Sequence, residues 1–247
     1  MKFNPKKYGL YYNRLYEVLA TTLTYDRSES GIIPNTSSMG IRLTEQNHFT
    51  LNPYPTTHTF KNLKQYNIIT LNLIEDVYLY ALASLKDRGL STKLRKFPSD
   101  YYKYINVSKN KELRFIIDQF PTIGEYKIPY VKDAWGILIC KVVNERKKVK
   151  HSQLGEIKLT EFELEVLLEE KYQDSFKLFN RAENIALEMI ILATRLKVAY
   201  ENEDKSLFSK IYDQILDYKT KLTRFSNNTS ANKTLEIIDT YIKNYRD

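Results

Sequence analysis

A β-rich domain over residues 1–175, followed by a helical portion over residues 176–247, is the architecture the sequence predicts. Three observations carry it. Up to about residue 175 the apolar residues come in short runs rich in β-branched and aromatic side chains, the composition of strands. Turn formers, notably Gly31 with Pro34 and then Pro53 with Pro55, punctuate the first of those runs. After Phe179 the period changes. Ile185, Met189, Leu192, Ala193, Leu196 and Tyr200 recur at helical intervals, as do Leu207, Ile211, Ile215, Tyr218, Leu222 and Phe225, and then Leu235, Ile238, Tyr241, Ile242 and Tyr245. Three amphipathic helices separated by polar breaks form a small antiparallel bundle.

Within the β-rich part, Leu15 to Tyr25 reads as the first strand and Asp26 to Asn35 as the turn out of it. Strands over about Ser37 to Leu43 and His48 to Asn52 flank the polar turn Thr44 to Asn47, a hairpin spacing. Pro53 and Pro55 end the pairing because neither can donate a ladder hydrogen bond. A short helix over Thr56 to Gln65 leads into a strand from Asn67 to Leu73, and Glu75 to Leu85 is a helix apolar on most of its surface. Lys86 to Ile128 is hard to read; a helix near Glu112 to Gln119 and a loop through Pro121 and Gly124 are expected there. Ala134 to Asn144 is a strand, and Arg146 to Lys150 reads as a basic loop. In Glu161 to Leu168 the strict alternation of Phe162, Leu164 and Val166 with glutamates outweighs a capping-box spacing and predicts the last strand.

Composition removes several classes. The chain has 247 residues, 43% hydrophobic and 28% charged, with a mean hydropathy of −0.47, values of an ordinary globular protein. No apolar run approaches the roughly 20 residues that span a bilayer. The start, MKFNPKKYGLYYN, lacks an apolar core like that of a signal peptide, so a cytoplasmic location is expected. A net charge of +8 invites a nucleic-acid reading. The lysines, however, are spread along the chain, and an acidic run from Glu161 to Glu170 follows the basic cluster; nucleic acid is discounted. His48, His58, His151 and the single Cys140 show no ligand spacing, so no metal is expected. There is no nucleophile elbow, P-loop or glycine-rich dinucleotide fingerprint.

One stretch, Pro34 to Leu63, concentrates the groups that hold ligands. Asn35, Thr36, Ser37 and Ser38 are small enough for a planar ring to approach their backbone; Met39 can pack on an aromatic face, and Gly40 leaves room opposite. Thr57, Thr59, Lys61 and Asn62 bring hydroxyls, a cation and an amide to a helix start, a set suited to phosphate. The same residues also make an ordinary hairpin lining and helix cap. Both readings stand on the residues alone.

The ordered series Tyr16-Glu17…Thr21-Thr22, Ser38-Met39-Gly40, Pro53-Tyr54…Thr59-Phe60-Lys61-Asn62-Leu63 and Asn72…Asp76 resembles the family known as domain of unknown function 447. These are flavoproteins of the FMN-binding split-barrel, flavin-reductase-like superfamily. Phe179-Asn180-Arg181-Ala182…Ala193-Thr194-Arg195-Leu196 is similar to that family's C-terminal signature. The resemblance runs from about residue 14 to residue 200. It implies a six-stranded antiparallel Greek-key barrel with an antiparallel helical portion, non-covalent FMN, and a homodimer with flavin near the subunit interface. It further implies that Ser37, Ser38, Met39 and Gly40, with Asn35 and Thr36 beside them, face the isoalloxazine, while Thr57, Thr59, Lys61 and Asn62 hold the ribityl phosphate. Asn72 is a further candidate. Asn180 and Arg181 would reach the site or the dimer partner, or simply start a helix and its ion pairs. Ser37-Ser38 replaces the family's usual Ala-Pro before Met-Gly, and the turn from Asp26 to Ile33 also departs from its pattern. The expected function is that of a flavin-dependent oxidoreductase or flavin reductase of unknown substrate, with a nicotinamide cofactor as the generic electron donor. The alternatives are a non-catalytic FMN-binding or protein-interaction module and, less favoured, a basic nucleic-acid binder.

Overall fold

The computed structural model describes residues 3–26, 31–86, 96–114, 127–152, 155–175, 180–224 and 229–245. The chain divides into two compact units, Met1–Ile74 with Ser99–Ser175, and Glu75–Pro98 with Phe176–Asp247. The first carries β1 (Leu15–Asp26), β2 (Gly31–Leu43), β3 (Phe49–Leu51), α1 (His58–Tyr66), β4 (Ile68–Leu73), β5 (Tyr102–Asn106), β6 (Lys127–Val131), β7 (Gly136–Ser152) and β8 (Gly155–Lys171).

The expectation of a simple six-stranded barrel is corrected by how these strands pair. Their hydrogen bonds follow the cyclic order β1-β2-β3-β8-β7-β4. The closure is very uneven, however. The β1–β4, β2–β3 and β3–β8 seams hold three residue pairs each, whereas β1–β2 runs on for twelve and β7–β8 for sixteen. The object is an antiparallel sheet curled into a ring that short seams close, with two long hairpins continuing past it. Two causes are visible. β3 is three residues long because Pro53 follows it almost at once. In β7–β8 the register shifts between Ile139 and Cys140 and between Val142 and Asn144, irregularities of the kind that bend and twist a strand locally. The separate two-stranded sheet β5–β6 lies outside the ring order, in the stretch the sequence left unassigned.

Two sequence expectations give way to cross-strand pairing. Gly31 to Asn35 belongs to β2 and not to a turn: Pro34 lacks an N–H, but its φ suits extended backbone and it pairs opposite Leu23. The supposed basic loop Arg146–Lys150 is part of β7, because its charges meet the glutamates of β8. Arg146 pairs with Glu163 at 3.2 Å and Lys148 with Glu161 at 2.5 Å. The basic and acidic runs are thus one ladder. Inside the ring, Val18, Ile41, Phe49, Leu71, Leu138 and Phe162 form the core. A second apolar cluster includes Leu23, Ile68, Val107, Leu113 and Ile139. Cys140 is fully buried, and that burial pushes its thiol pKa up. Lys111–Leu113 form a single 3-10 turn; the rest of the helix expected to Gln119, and the loop through Pro121 and Gly124, lie outside the described residues.

The second unit contains α2 (Val77–Ser84), α3 (Arg181–Glu201), α4 (Lys205–Thr223) and α5 (Thr229–Lys243). The helical portion is therefore not confined to residues after 175. α2 buries Val77 and Leu79 to Ala83, so it needs cover nearly all round, and it packs against α3 and α5. No helix among the described residues is long and apolar enough to cross a membrane.

The short β3–β8 seam has one polar clamp: His48 Nδ1 lies 2.8 Å from Glu163 Oε1. The hydrogen bond from His48, then those from Asn144 and the charges of His48 and Arg146, hold the Glu163 carboxyl below its ordinary range against the opposing effect of burial. A carboxyl depressed in the fold stabilises it above the unfolded pKa and stops doing so as pH falls through the folded value. In urea titrations the wild type should exceed Glu163→Gln in stability by about 1 kcal/mol or less. That margin should shrink as pH is lowered from about 6 to about 3; a margin that grew on acidification would refute the clamp.

Candidate functional site

β2 holds six of the expected site residues in a row, and strand alternation divides them. Asn35, Ser37 and Met39 share the face of Ile41 and, across the pairing, of Val18, Ala20 and Thr22. That face lines the core, and Met39 packs against the core cluster. Thr36, Ser38 and Gly40 occupy the opposite face, opposite Thr21, Leu19 and Glu17. The six residues cannot all meet one ring.

On the inner face, β2 meets the first turns of α1. Asn35 Nδ2 donates to Thr59 Oγ1 at 3.4 Å, and Thr59 donates to Ser37 Oγ at 3.2 Å. Asn62, one turn further along the helix, donates Nδ2 to Thr22 Oγ1 at 3.0 Å, and Thr22 donates to the Asn35 carbonyl at 3.4 Å. Thr59 and Asn62 are buried, Asn35 and Ser37 half-buried, and Lys61 is exposed on the same helix. Thr57 has another task. It caps α1, accepting from the Phe60 N–H at 3.2 Å and donating to the Tyr54 carbonyl at 2.7 Å. Its hydroxyl is committed to the fold.

On the outer face a hydroxyl chain crosses to the second sheet. Thr21 Oγ1 lies 2.8 Å from Thr36 Oγ1, which lies 2.8 Å from the Tyr102 hydroxyl. Burial, opposed by the Thr36 hydrogen bond, pushes the Tyr102 phenol above its ordinary range. Asn72 anchors the chain. Its Nδ2 donates to the Leu19 carbonyl at 2.6 Å and to Thr21 Oγ1 at 3.0 Å, and its Oδ1 accepts from the Val131 N–H at 2.8 Å. Asn72 is thus a fully engaged, completely buried group. Further along, Ser38 donates to Glu17 Oε2 at 3.4 Å. A Cβ on Gly40 would sit 3.2 Å from Leu15 Cδ1 and 3.3 Å from Glu17 Oε1, so glycine is what lets that carboxylate cross β2.

Asn180 caps α3, its side chain accepting from the Glu183 N–H at 3.3 Å, and Arg181 opens that helix; both belong to the second unit. Among the described residues no group of three or more His, Cys, Asp and Glu is placed to hold a metal. Sequence reasoning missed Thr22 and Tyr102 as members of these networks. Thr22 stood in a quoted motif but looked like a plain strand former, and Tyr102 had no signal among the chain's twenty tyrosines.

Residues 16–171 match the family described as protein of unknown function (DUF447), N-terminal domain, and the chain belongs to that family. A crystal structure of an FMN-bound DUF447 protein from Methanosarcina mazei is 16% identical, with a TM-score of 0.68 over 96% of this chain and 100% of that one; the likeness shows the fold. A flavin reductase domain protein from Arthrobacter sp. FB24 is 15% identical with a TM-score of 0.41, over 66% of this chain and 80% of its own, too slight to support an argument. Arginine–tRNA ligase from Buchnera aphidicola is 30% identical over 174 residues, 66% of this chain, but the chain spans only 28% of that enzyme.

The phosphate end of FMN can be tested against these side chains. Thr59 donates to Ser37, and among the described residues the Ser37 proton has no acceptor. A half-buried hydroxyl donor beside a helix start, with Lys61 on the same helix, fits a phosphate. Asn72 is different, because its groups are all taken. Asn72→Ala should remove the acceptor of the Val131 N–H and the side-chain bonds to Leu19 and Thr21, and lower the unfolding free energy by about 1–3 kcal/mol. An unchanged denaturation midpoint would show that the amide does not close the seam.

Proposed function

We propose that this protein binds FMN non-covalently, with the phosphate at the junction of β2 and the first turn of α1. The observation that carries the reading is the Asn35–Thr59–Ser37 chain, whose donor direction leaves the Ser37 proton for an acceptor. Lys61 supplies positive charge, and the start of α1 adds its partial positive charge. Thr57 is left out of the ligand set because it caps the helix. Ser38 and Gly40 are left out because they face the other way. Membership of a family with an FMN-bound member supports the choice of ligand. Bound FMN would supply redox chemistry, while the chain supplies binding and orientation. The activity to test is that of an oxidoreductase drawing electrons from a reduced nicotinamide.

Titration of the purified protein with FMN should quench flavin fluorescence and shift the visible bands. Thr59→Val and Lys61→Ala should each weaken binding by about tenfold. No quenching by the wild type would end the FMN reading. Flavin bound without oxidation of NADH or NADPH would leave a binding module in place of an enzyme.

A further inference from the structure

Asn62 was expected to hold phosphate, and its surroundings point elsewhere. The residue is only 5% exposed. The Thr22 hydroxyl proton is given to the Asn35 carbonyl, which can only accept, so Thr22 meets Asn62 with a lone pair. The Asn62 atom 3.0 Å away must therefore be the amide nitrogen. The amide oxygen points away from Thr22 and has no partner among the described residues. It is not sealed in either: the enclosed, unpartnered side-chain oxygens among the described residues are those of Ser84, Glu169 and Thr234. A nearly buried carboxamide thus keeps an acceptor lone pair that the fold neither pairs nor fully encloses among the described residues. A phosphate, itself only an acceptor, would be repelled by it.

We infer that Asn62 is a positioning residue for a hydroxyl donor, and that the site selects a phosphomonoester carried on a polyol chain. Thr59 and Asn62 lie three residues apart on one face of α1, about 4.5 Å along its axis. The Ser37–Thr59 end offers a proton and the Asn62 end offers a lone pair. A phosphate and a hydroxyl a carbon or two along the same chain match that order. The inference rests on the FMN reading for its choice of polyol, the ribityl chain, and replaces the phosphate role of Asn62 within it.

Dissociation constants for FMN and riboflavin, measured by fluorescence quenching on the wild type, Asn62→Leu and Lys61→Ala, test it. Asn62→Leu should weaken both flavins alike, by about tenfold, because the lost contact does not involve the phosphate. Lys61→Ala should weaken FMN alone. If Asn62→Leu weakens FMN and leaves riboflavin unchanged, Asn62 is a phosphate contact and the inference fails; it fails equally if neither flavin is affected. Calorimetry on the wild type needs no variant. Ribitol 5-phosphate should bind about tenfold more tightly than n-pentyl phosphate, and equal affinities would overturn the inference. Ribitol 5-phosphate binding without flavin binding would remove the FMN reading alone; binding of neither would remove both.

Discussion

The Asn72 carboxamide sits where the curled sheet closes, and groups from three strands converge on it. Leu19 and Thr21 of β1, Thr70 of β4 itself and Val131 of β6 all lie within 3.2 Å of its polar atoms. The β1–β4 seam is three residue pairs long, too short for backbone bonds alone to fix the register firmly. A side chain that donates across the seam and accepts from the second sheet adds that definition. Because its groups are fully engaged, the hydroxyls of Thr21 and Thr36 are oriented as well, and β2 is held at a fixed height against β1. The placement of every candidate ligand group on β2 follows from this.

Alternation along β2 then decides which of those groups can act together. Neighbours in sequence, such as Ser37 and Ser38, lie on opposite sides of the sheet, whereas residues distant in sequence, such as Ser37 and Thr59, touch. α1 brings a hydroxyl, an amide and a cation over the inner face, and its cap residue fixes where the helix begins. The resulting cluster is asymmetric: proton donors lie towards the helix start and an acceptor lies one turn further on. An unbranched anion would use only half of it.

Much of this architecture is legible in the sequence, and the failures have physical causes. The strands of the ring were anticipated because they alternate or carry β-branched runs, and the helices after residue 180 because their apolar residues keep helical spacing. Gly31 and Pro34 were misread because a long hairpin overrides local turn chemistry. Arg146 to Lys150 was misread because a charge run seen alone looks solvated; its partners are glutamates more than ten residues away. The uneven closure of the ring was not legible, because seam length depends on where a partner strand stops. The candidate site was half visible. Residue types on β2 and α1 pointed to a ligand, but the direction of the Asn62 hydrogen bond, which separates it from Ser37, depends on Thr22, which reads in the sequence as a plain strand former.

The unequal seams also bear on how the chain assembles. β1 with β2, and β7 with β8, pair strands only a few residues apart in sequence, so each pair can form early from local contacts. The β3–β8 seam instead unites residues more than a hundred positions apart, and closing so long a loop costs entropy before it gains three pairs. Two preformed hairpins that dock late would follow from this. Closing the ring, and not making its strands, would then set the folding rate.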